Sequence, residues 1–136
     1  MKHYIGVKQV KAEPQERDGV EGYRVVYPDD YESWSPKDVF EAAYLELGED
    51  STRITEDVVN GFMVGGQKTR MGNHMVVFAE FRNGFTTITD SACVDEENYD
   101  EQVGTELAAE KAHSKLWELL GFVLAWGRNG LRESRG

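Results

Sequence analysis

Residues 75–91 read MVVFAEFRNGFTTITDS and carry the strongest structural signal in the chain. Two runs rich in apolar, β-branched and aromatic side chains flank the pair Asn83-Gly84. Asn-Gly between such runs is typical of a type I′ hairpin, because that turn needs a positive φ at both central residues. The stretch therefore predicts two antiparallel strands joined by a two-residue loop.

The predicted loop length fixes which side chains share a face of the hairpin. A two-residue loop places Arg82 opposite Phe85 and Ala79 opposite Ile88. The core face then carries Met75, Val77, Ala79, Phe81 and Ile88, and the opposite face carries Phe78, Glu80, Arg82, Phe85, Thr87 and Thr89. A guanidinium beside an aromatic ring suits a planar anionic ligand, but it equally suits a cross-strand contact that covers the turn. The residues alone leave both interpretations open.

A long amphipathic helix is predicted to follow the hairpin. Asn98 is its expected N-cap, Glu101 completes a capping box, and Gly127 is its expected stop. Apolar residues recur at helical spacing: Val103, Leu107, Ala108, Ala112, Leu116, Leu119, Leu120 and Val123. Residues 119–126, LLGFVLAW, are apolar nearly all round, so part of this surface needs a cover other than the hairpin. That surplus predicts a partner subunit, and hence a homo-oligomer.

Two lysines on this helix, Lys111 and Lys115, lie one turn apart on one side. Charged helix residues are mostly exposed to solvent, which favours a simple solvated face. Two ammonium groups so close together also suit an anionic ligand, since residues four apart on a helix are neighbours. The spacing does not decide between the two interpretations.

The first 48 residues are predicted to form a small β-β-α module. Strand-like runs occupy residues 4–10 and 23–27, and a polar loop is expected at residues 11–22 between them. Residues 32–34 are long enough for a brief third strand. The aromatic residues of this module are expected to build a small core, because large rings bury much apolar area.

Residues 49–136 are predicted to form a second domain with the order α-β-β-α. Ser35 and Pro36 are expected to open the helix of the first module, and Thr55 to cap a short helix of the second. Residues 65–67, Gly-Gly-Gln, are expected to be a flexible lead into the hairpin. The predicted fold class is α+β: an antiparallel hairpin or sheet packed on a long C-terminal helix.

Composition and charge exclude several classes of protein. The formal net charge of −10 argues against binding of DNA or RNA polymers, whose affinity comes from phosphate neutralisation. The single cysteine, Cys93, rules out an intramolecular disulfide framework and fits a reducing compartment. The sequence has neither a signal-peptide stretch nor an apolar run near the roughly 20 residues of a membrane span. We therefore expect a cytoplasmic protein that does not bind membranes.

No catalytic or metal-binding pattern stands out in the sequence. His3, His74 and His113 are scattered, and none stands at a metal-ligand spacing from Cys93. Cys93 also lacks a local nucleophile signature. The sequence therefore predicts a non-enzymatic protein that uses neither a metal nor a cofactor.

Two stretches of the chain resemble a known family. FRNGFTTITDSACVDEENYDEQVG at residues 81–104 and ELAAEKAHSKLWELLGFVL at residues 106–124 are similar to small tailed-phage and prophage proteins of the gene-product-49-like family. The N-terminal residues 4–44, which begin YIGVKQV and include SWSPKDVF, look like a module found at the front of various phage proteins. Its usual loop is shortened here to QERDGVEG at residues 15–22.

A weaker resemblance is to the phage Thoeris anti-defence sponges. It implies a non-enzymatic homo-oligomer, a dimer or a hexamer, that sequesters a nucleotide-derived immune signal of the cyclic ADP-ribose type, with cyclic oligonucleotides as a further class. The local chemistry permits such a ligand, because guanidinium forks bind pyrophosphate and an aromatic ring stacks on a base. The candidate ligand-binding residues are Arg53, Arg70, Arg82, Asn83, Phe85, Lys111 and Lys115. The alternative is a phage protein that binds and modulates a host protein.

Overall fold

The computed structural model describes residues 1–133 and has an α+β fold, as predicted. Two three-stranded antiparallel sheets and a long C-terminal helix form two compact units. The first unit comprises residues 1–53 and 123–133, and the second comprises residues 54–122. In chain order the elements are β1 Lys11–Pro14, β2 Gly22–Val26, β3 Glu32–Pro36, α1 Lys37–Ala43, α2 Glu56–Phe62, β4 Met63–Met71, β5 His74–Phe81, β6 Thr86–Ala92 and α3 Glu101–Asn129.

The sheet of the first unit has the order β1-β2-β3. Val25 on the central strand is buried, with 1% of its surface exposed. Arg24 on the same strand bridges its two neighbours by ion pairs with Glu13 and Glu32. The Phe40 ring of α1 lies 4.5 Å from the ring of Tyr23 on β2, so aromatic contacts hold this helix to the sheet.

The N-terminal strand prediction was wrong in position. Residues 4–10 do not form a strand, and β1 instead falls within the stretch that was predicted as loop. A two-residue hairpin turn joins β1 and β2, with positive φ at Asp18 and Gly19. Arg17 and Val20 exchange backbone hydrogen bonds across it. The Asp-Gly turn signal was missed because charged residues flank it in place of alternating apolar ones.

The start of α1 also differs from the prediction. Ser35 belongs to β3, and Pro36 occupies the N-cap position without a capping side chain. Ser35 pairs with Tyr23 in the sheet, so its backbone serves the strand and not the helix. Thr55, in contrast, caps α2 as predicted: its hydroxyl accepts a hydrogen bond from the backbone N–H of Val58 at 3.3 Å.

The sheet of the second unit has the order β4-β5-β6. Residues 65–67, which were predicted to be flexible, form the middle of β4 and pair with β5. Glycine weakens the strand signal in sequence, and here the partner strand imposes the conformation that propensity does not favour. The buried core of this unit comes from β5, α2 and α3: Val59, Met75, Ala79, Phe81, Ala108, Ala112, Leu116 and Leu120.

The predicted hairpin is present, but its register is shifted by one residue. Phe81 N donates to Phe85 O and Gly84 N donates to Phe81 O, each at 2.9 Å. Gly84 has a positive φ of 85°, and Asn83 does not. The connection is therefore a three-residue loop, a type I turn followed by a left-handed glycine, and not a two-residue type I′ turn.

The shift reverses the faces of β6. Ala79 pairs with Thr87, and the prediction that it pairs with Ile88 was wrong. Thr87 is buried at 8% exposure, whereas Ile88 is 71% exposed and does not belong to the core. A one-residue slip has this effect on every position because side chains alternate along a strand.

Helix α3 begins and ends slightly away from the predicted residues. Asp100 provides the cap, because its carboxylate accepts from Val103 N at 3.1 Å, and Asn98 lies in a short 3₁₀ turn before it. The helix passes through Gly127 and ends at Asn129, followed by Gly130 with a positive φ. No helix among residues 1–133 combines the length and apolar content that crossing a membrane requires.

Small residues bring α3 close to β5 and β6. Ser91 Oγ donates to the backbone oxygen of Gly104 at 2.6 Å, and Thr89 Oγ1 donates to that of Ala108 at 2.7 Å. A Cβ atom at residue 104 would lie 3.2 Å from Met75 Cβ. Such an approach leaves no room for a larger side chain at this point of the helix.

We expect Gly104→Val to lower the free energy of unfolding by about 1–3 kcal/mol, because overpacking forces the helix away from the sheet. Gly121 is the matched control: it lies on the same helix and a Cβ there would meet nothing within 4 Å. Gly121→Ala should raise stability by about 0.5–1 kcal/mol through helix propensity. Urea unfolding of both variants provides the measurement, and equal effects would contradict the close approach.

The shifted register has its own test in a pair of lysine substitutions. Thr87→Lys buries a charge and should destabilise the fold by about 3 kcal/mol or more, whereas Ile88→Lys should change stability by about 0.5 kcal/mol or less. Thermal unfolding followed by circular dichroism measures both. If Ile88→Lys were more destabilising than Thr87→Lys, the result would support the two-residue loop and contradict the observed register.

Candidate ligand-binding groove

The structure distributes the predicted ligand-binding residues over several places. Arg53 lies in the first unit, where its Nε is 3.5 Å from Asp50 Oδ2. Hydrogen bonds from the Thr52 side chain and backbone lower the pKa of Asp50, so this carboxyl is ionised at neutral pH. Arg53 is thus engaged in a local charged turn of the first unit.

Arg70 and Arg82 lie at opposite ends of the second sheet. Arg70 pairs with Met75 near the start of β5, and Arg82 follows the other end of that strand. At about 3.3 Å per residue, roughly 20 Å separates them along the strand. The Arg70 guanidinium lies 3.7 Å from the centroid of the Tyr99 ring, where it forms a cation–π contact. Within one protomer, these two arginines do not converge on one ligand.

Asn83 and Phe85 have structural contacts within the hairpin loop. The Asn83 carboxamide oxygen accepts from Phe85 N at 3.0 Å, which stabilises the turn. The Phe85 ring stacks on Phe81 with centroids 6.4 Å apart, and 54% of Phe85 remains exposed. These contacts favour the turn-covering interpretation of this end of the hairpin.

Lys111 and Lys115, in contrast, line a common groove. The groove lies beside β6 and α3 and has a volume of about 570 Å³. Its lining residues are Ser91, Ala92, Leu107, Glu110, Lys111, Ser114, Lys115 and Glu118. This volume is within the range of about 300–1,000 Å³ that is usual for small-molecule sites. Of the candidate residues, the structure brings together these two.

The position of the groove follows from how α3 crosses β6. Contacts of Ser91 with Gly104 and of Thr89 with Ala108 show that the helix runs antiparallel to the strand. Lys111 is one turn further along and donates from Nζ to the backbone oxygen of Asp90 at 2.7 Å. This hydrogen bond holds the ammonium group at the outer edge of the strand. An ammonium has three donors, so two are left for a ligand.

The groove combines both signs of charge with a small apolar area. Glu110 and Glu118 lie on the same helical side as Ser114, one turn on either side of it. Leu107 closes the apolar part and is 47% exposed. Two ammonium groups can bind phosphate oxygens, carboxylates can accept from ribose hydroxyls, and a leucine can contact a base. The arrangement therefore suits a small molecule with all three kinds of group.

The sequence did not indicate that Glu110, Ser114 and Glu118 share a site with the lysines. Their spacing of four residues was visible as a second row on the helix. The sequence did not show that β6 lies beside this side of the helix, and the groove forms between the two.

The histidines of the second unit have structural partners. His74 Nδ1 lies 2.7 Å from Asp90 Oδ2, which links β5 to β6. His113 Nε2 lies 3.1 Å from Asn60 Oδ1, which links α3 to α2. Within residues 1–133, no three histidine, cysteine or acidic side chains form a cluster suited to a metal ion.

The fold and this groove define a small α+β protein with a candidate ligand site on its C-terminal helix. The chain belongs to the phage protein (N4 Gp49/phage Sf6 gene 66) family, whose pattern matches residues 39–126, more than half of its length. No curated protein and no solved structure matches the chain. The match confirms the predicted phage family, and the family description assigns no activity.

Because Asn83 stabilises the hairpin turn, we expect Asn83→Ala to lower the free energy of unfolding by about 0.5–1.5 kcal/mol through loss of its hydrogen bond. Asn83→Asp keeps an acceptor oxygen at the same place and is the matched control. Chemical denaturation of the two variants is the measurement. If Asn83→Ala were as stable as the parent protein, the Asn83 side chain would not stabilise the turn.

Proposed function

We propose that this protein is a non-enzymatic phage anti-defence protein that binds and sequesters a nucleotide-derived immune signal. The cyclic ADP-ribose type is the ligand class that the groove suits best, with cyclic oligonucleotides as a second class. The observation that carries the proposal is the convergence of Lys111 and Lys115 on one groove beside β6. We propose that this activity operates in the cytoplasm of the infected host, in keeping with membership of a phage protein family.

The chemistry of the groove supports an anionic nucleotide over a purely apolar ligand. Lysine binds phosphate as a point charge, and two of them one turn apart match the two phosphates of a pyrophosphate. Glu110 and Ser114 supply polar atoms of the kind that fix ribose hydroxyls. Leu107 supplies a half-exposed apolar surface for a base. A cyclic dinucleotide-like molecule carries all of these groups at short spacing.

For sequestration, a binding site is sufficient and no catalytic group is needed. A sponge acts in proportion to its amount, so its affinity must be high and it needs no turnover. High affinity for a small ligand requires that most of its surface be buried. The groove covers one side only, and we propose that a homo-oligomer supplies the other. The exposed helix residues Phe122 and Val123, 70% and 44% accessible, are available for such an association.

Isothermal titration calorimetry with cyclic ADP-ribose isomers and cyclic di- and trinucleotides tests the proposal. We expect at least one member of this panel to bind, and Lys111→Ala and Lys115→Ala each to weaken its Kd by about 10- to 100-fold through loss of a charge-assisted hydrogen bond. Lys68→Ala is the matched control. It removes the same charge from β4 of the same unit, where Lys68 pairs with Glu101 at 3.4 Å.

Absence of binding across the panel at micromolar protein would refute the proposal. So would a ligand whose Kd is unchanged in both lysine variants, because the groove would then not be its site. Mass spectrometry of the ligand released by denaturing the complex separates sequestration from catalysis. A chemically altered ligand would identify the protein as an enzyme.

The net charge favours a second candidate function, binding to a host protein. With a formal net charge of −10, the surface is complementary to a basic partner and can imitate nucleic acid. Exposed carboxylates concentrate at residues 95–97, directly before α3. Affinity capture from host lysate that yields one stoichiometric basic protein and no small molecule would favour this function over the first.

A further inference from the structure

Strand β6 lies at an edge of its sheet, with an unpaired side. Alternate residues of β6 bond to β5, as the bonds at Phe85 and Cys93 on either side of the strand show. The backbone N–H and C=O groups of Thr86, Ile88 and the other even-numbered residues therefore point away from β5. Within residues 1–133, β5 is the only strand paired with β6. Such an edge is a template for another extended segment.

Lys111 protects this edge at one point. Its ammonium group donates to the Asp90 backbone oxygen, which belongs to the outward-pointing set. Lysines on edge strands are a common means of discouraging unwanted pairing. The protection is partial, because one exposed hydrogen bond contributes only about 1 kcal/mol and a lysine side chain moves readily. An incoming strand can replace the ammonium with a backbone N–H.

The N-terminal segment, residues 1–6, has a strand-forming sequence but no strand to pair with. Tyr4 and Ile5 favour strands and are followed by Gly6 and Val7, yet the segment is not part of a sheet. Tyr4 is 91% exposed and Ile5 is 79% exposed. This segment is thus exposed, apolar at its centre and without a partner strand within residues 1–133. The segment would form a strand if it could pair with the edge of a sheet.

Charge is compatible with docking of the segment on this edge. Residues 1–6 contain Lys2 and no carboxylate side chain, although the whole chain has a formal net charge of −10. The groove beside β6 carries both signs of charge, Glu110 and Glu118 with Lys111 and Lys115. A docked strand would meet no excess of like charge there. Leu107, half exposed in the groove, offers apolar contact to an isoleucine or a tyrosine.

We propose that residues 1–6 of one copy of this protein add as a fourth strand to the outer edge of β6 in a second copy. Backbone hydrogen bonds to the even-numbered residues of β6 supply the affinity, as in other cases of strand addition. Docking displaces Lys111 from the Asp90 oxygen. The inference concerns assembly and does not require the ligand proposed above, although the docked strand would share Leu107 and Lys111 with the ligand groove.

The test begins with the mass of the full chain in solution. Sedimentation equilibrium of the protein, whose chain mass is 15.4 kDa, should show reversible association. Tyr4→Pro/Ile5→Pro removes two adjacent N–H groups and should weaken association by about tenfold or more, because proline cannot donate within a sheet. Tyr4→Val/Ile5→Val keeps a strand-forming segment and should associate like the parent. A monomer at all concentrations, or a proline variant that associates normally, would overturn the proposal.

Mixed labelling locates the contact. Lys2→Cys in a Cys93→Ala background carries a nitroxide, and this copy is mixed with an untagged, ¹⁵N-labelled copy. Selective broadening of the amide signals of residues 86–92 in the labelled copy is expected, since a tag on a separate molecule reports only intermolecular contact. Broadening confined to other residues would overturn the proposal. So would broadening of β6 only when tag and isotope share one chain.

Lys111→Ala separates this inference from the proposed ligand site. The substitution removes the group that competes for the Asp90 oxygen, so association should become a few-fold tighter, as expected for loss of one weak competing hydrogen bond. The same substitution is expected to weaken ligand binding. Weaker association of Lys111→Ala would contradict strand addition, whatever the result of the ligand titration.

Discussion

Everything in the second unit depends on the distance between α3 and the strands β5 and β6. Gly104, Ala108 and Ala112 recur every four residues on the buried face of the helix. Because these side chains are small, the helix backbone comes within hydrogen-bond distance of Ser91 and Thr89. The hydroxyls of Ser91 and Thr89 are satisfied by helix carbonyls, whereas the buried Thr87 hydroxyl has no hydrogen-bond partner within residues 1–133. Polar hydroxyls can be buried at modest cost only when they find such partners.

The sequence predicted the elements of this unit well because their signals are long and regular. The run at residues 75–81 and the apolar repeat of α3 each span several periods of their structure, so tertiary context did not override them. The register of the hairpin could not be obtained in this way. Asn-Gly fits either a two-residue loop or the end of a three-residue loop, and the two differ by one residue. The structure has the second, which buries Thr87 and exposes Ile88.

Other errors share a single physical cause, which is that a strand needs a partner. Residues 4–10 have strand-forming side chains but no partner strand within residues 1–133. Residues 65–67 include two glycines but pair with β5. Pairing energy therefore outweighed local propensity in both places. The candidate site, likewise, could be predicted only in part. Lys111 and Lys115 could be placed on one side of a helix, but the strand that completes their groove depended on the register.

The register also determines what the edge of β6 presents to solvent. With the observed pairing, Asp90 directs its carbonyl outward and Lys111 meets it; a slip of one residue would turn that carbonyl towards β5. One lysine thus borders the groove and blocks part of the strand edge at the same time. A bound anion can use the two donors of this ammonium that the Asp90 oxygen leaves free, whereas an added strand displaces the ammonium from that oxygen. Because the groove and the strand edge share Lys111 and Leu107, ligand capture and strand addition would oppose each other, and each would raise the cost of the other.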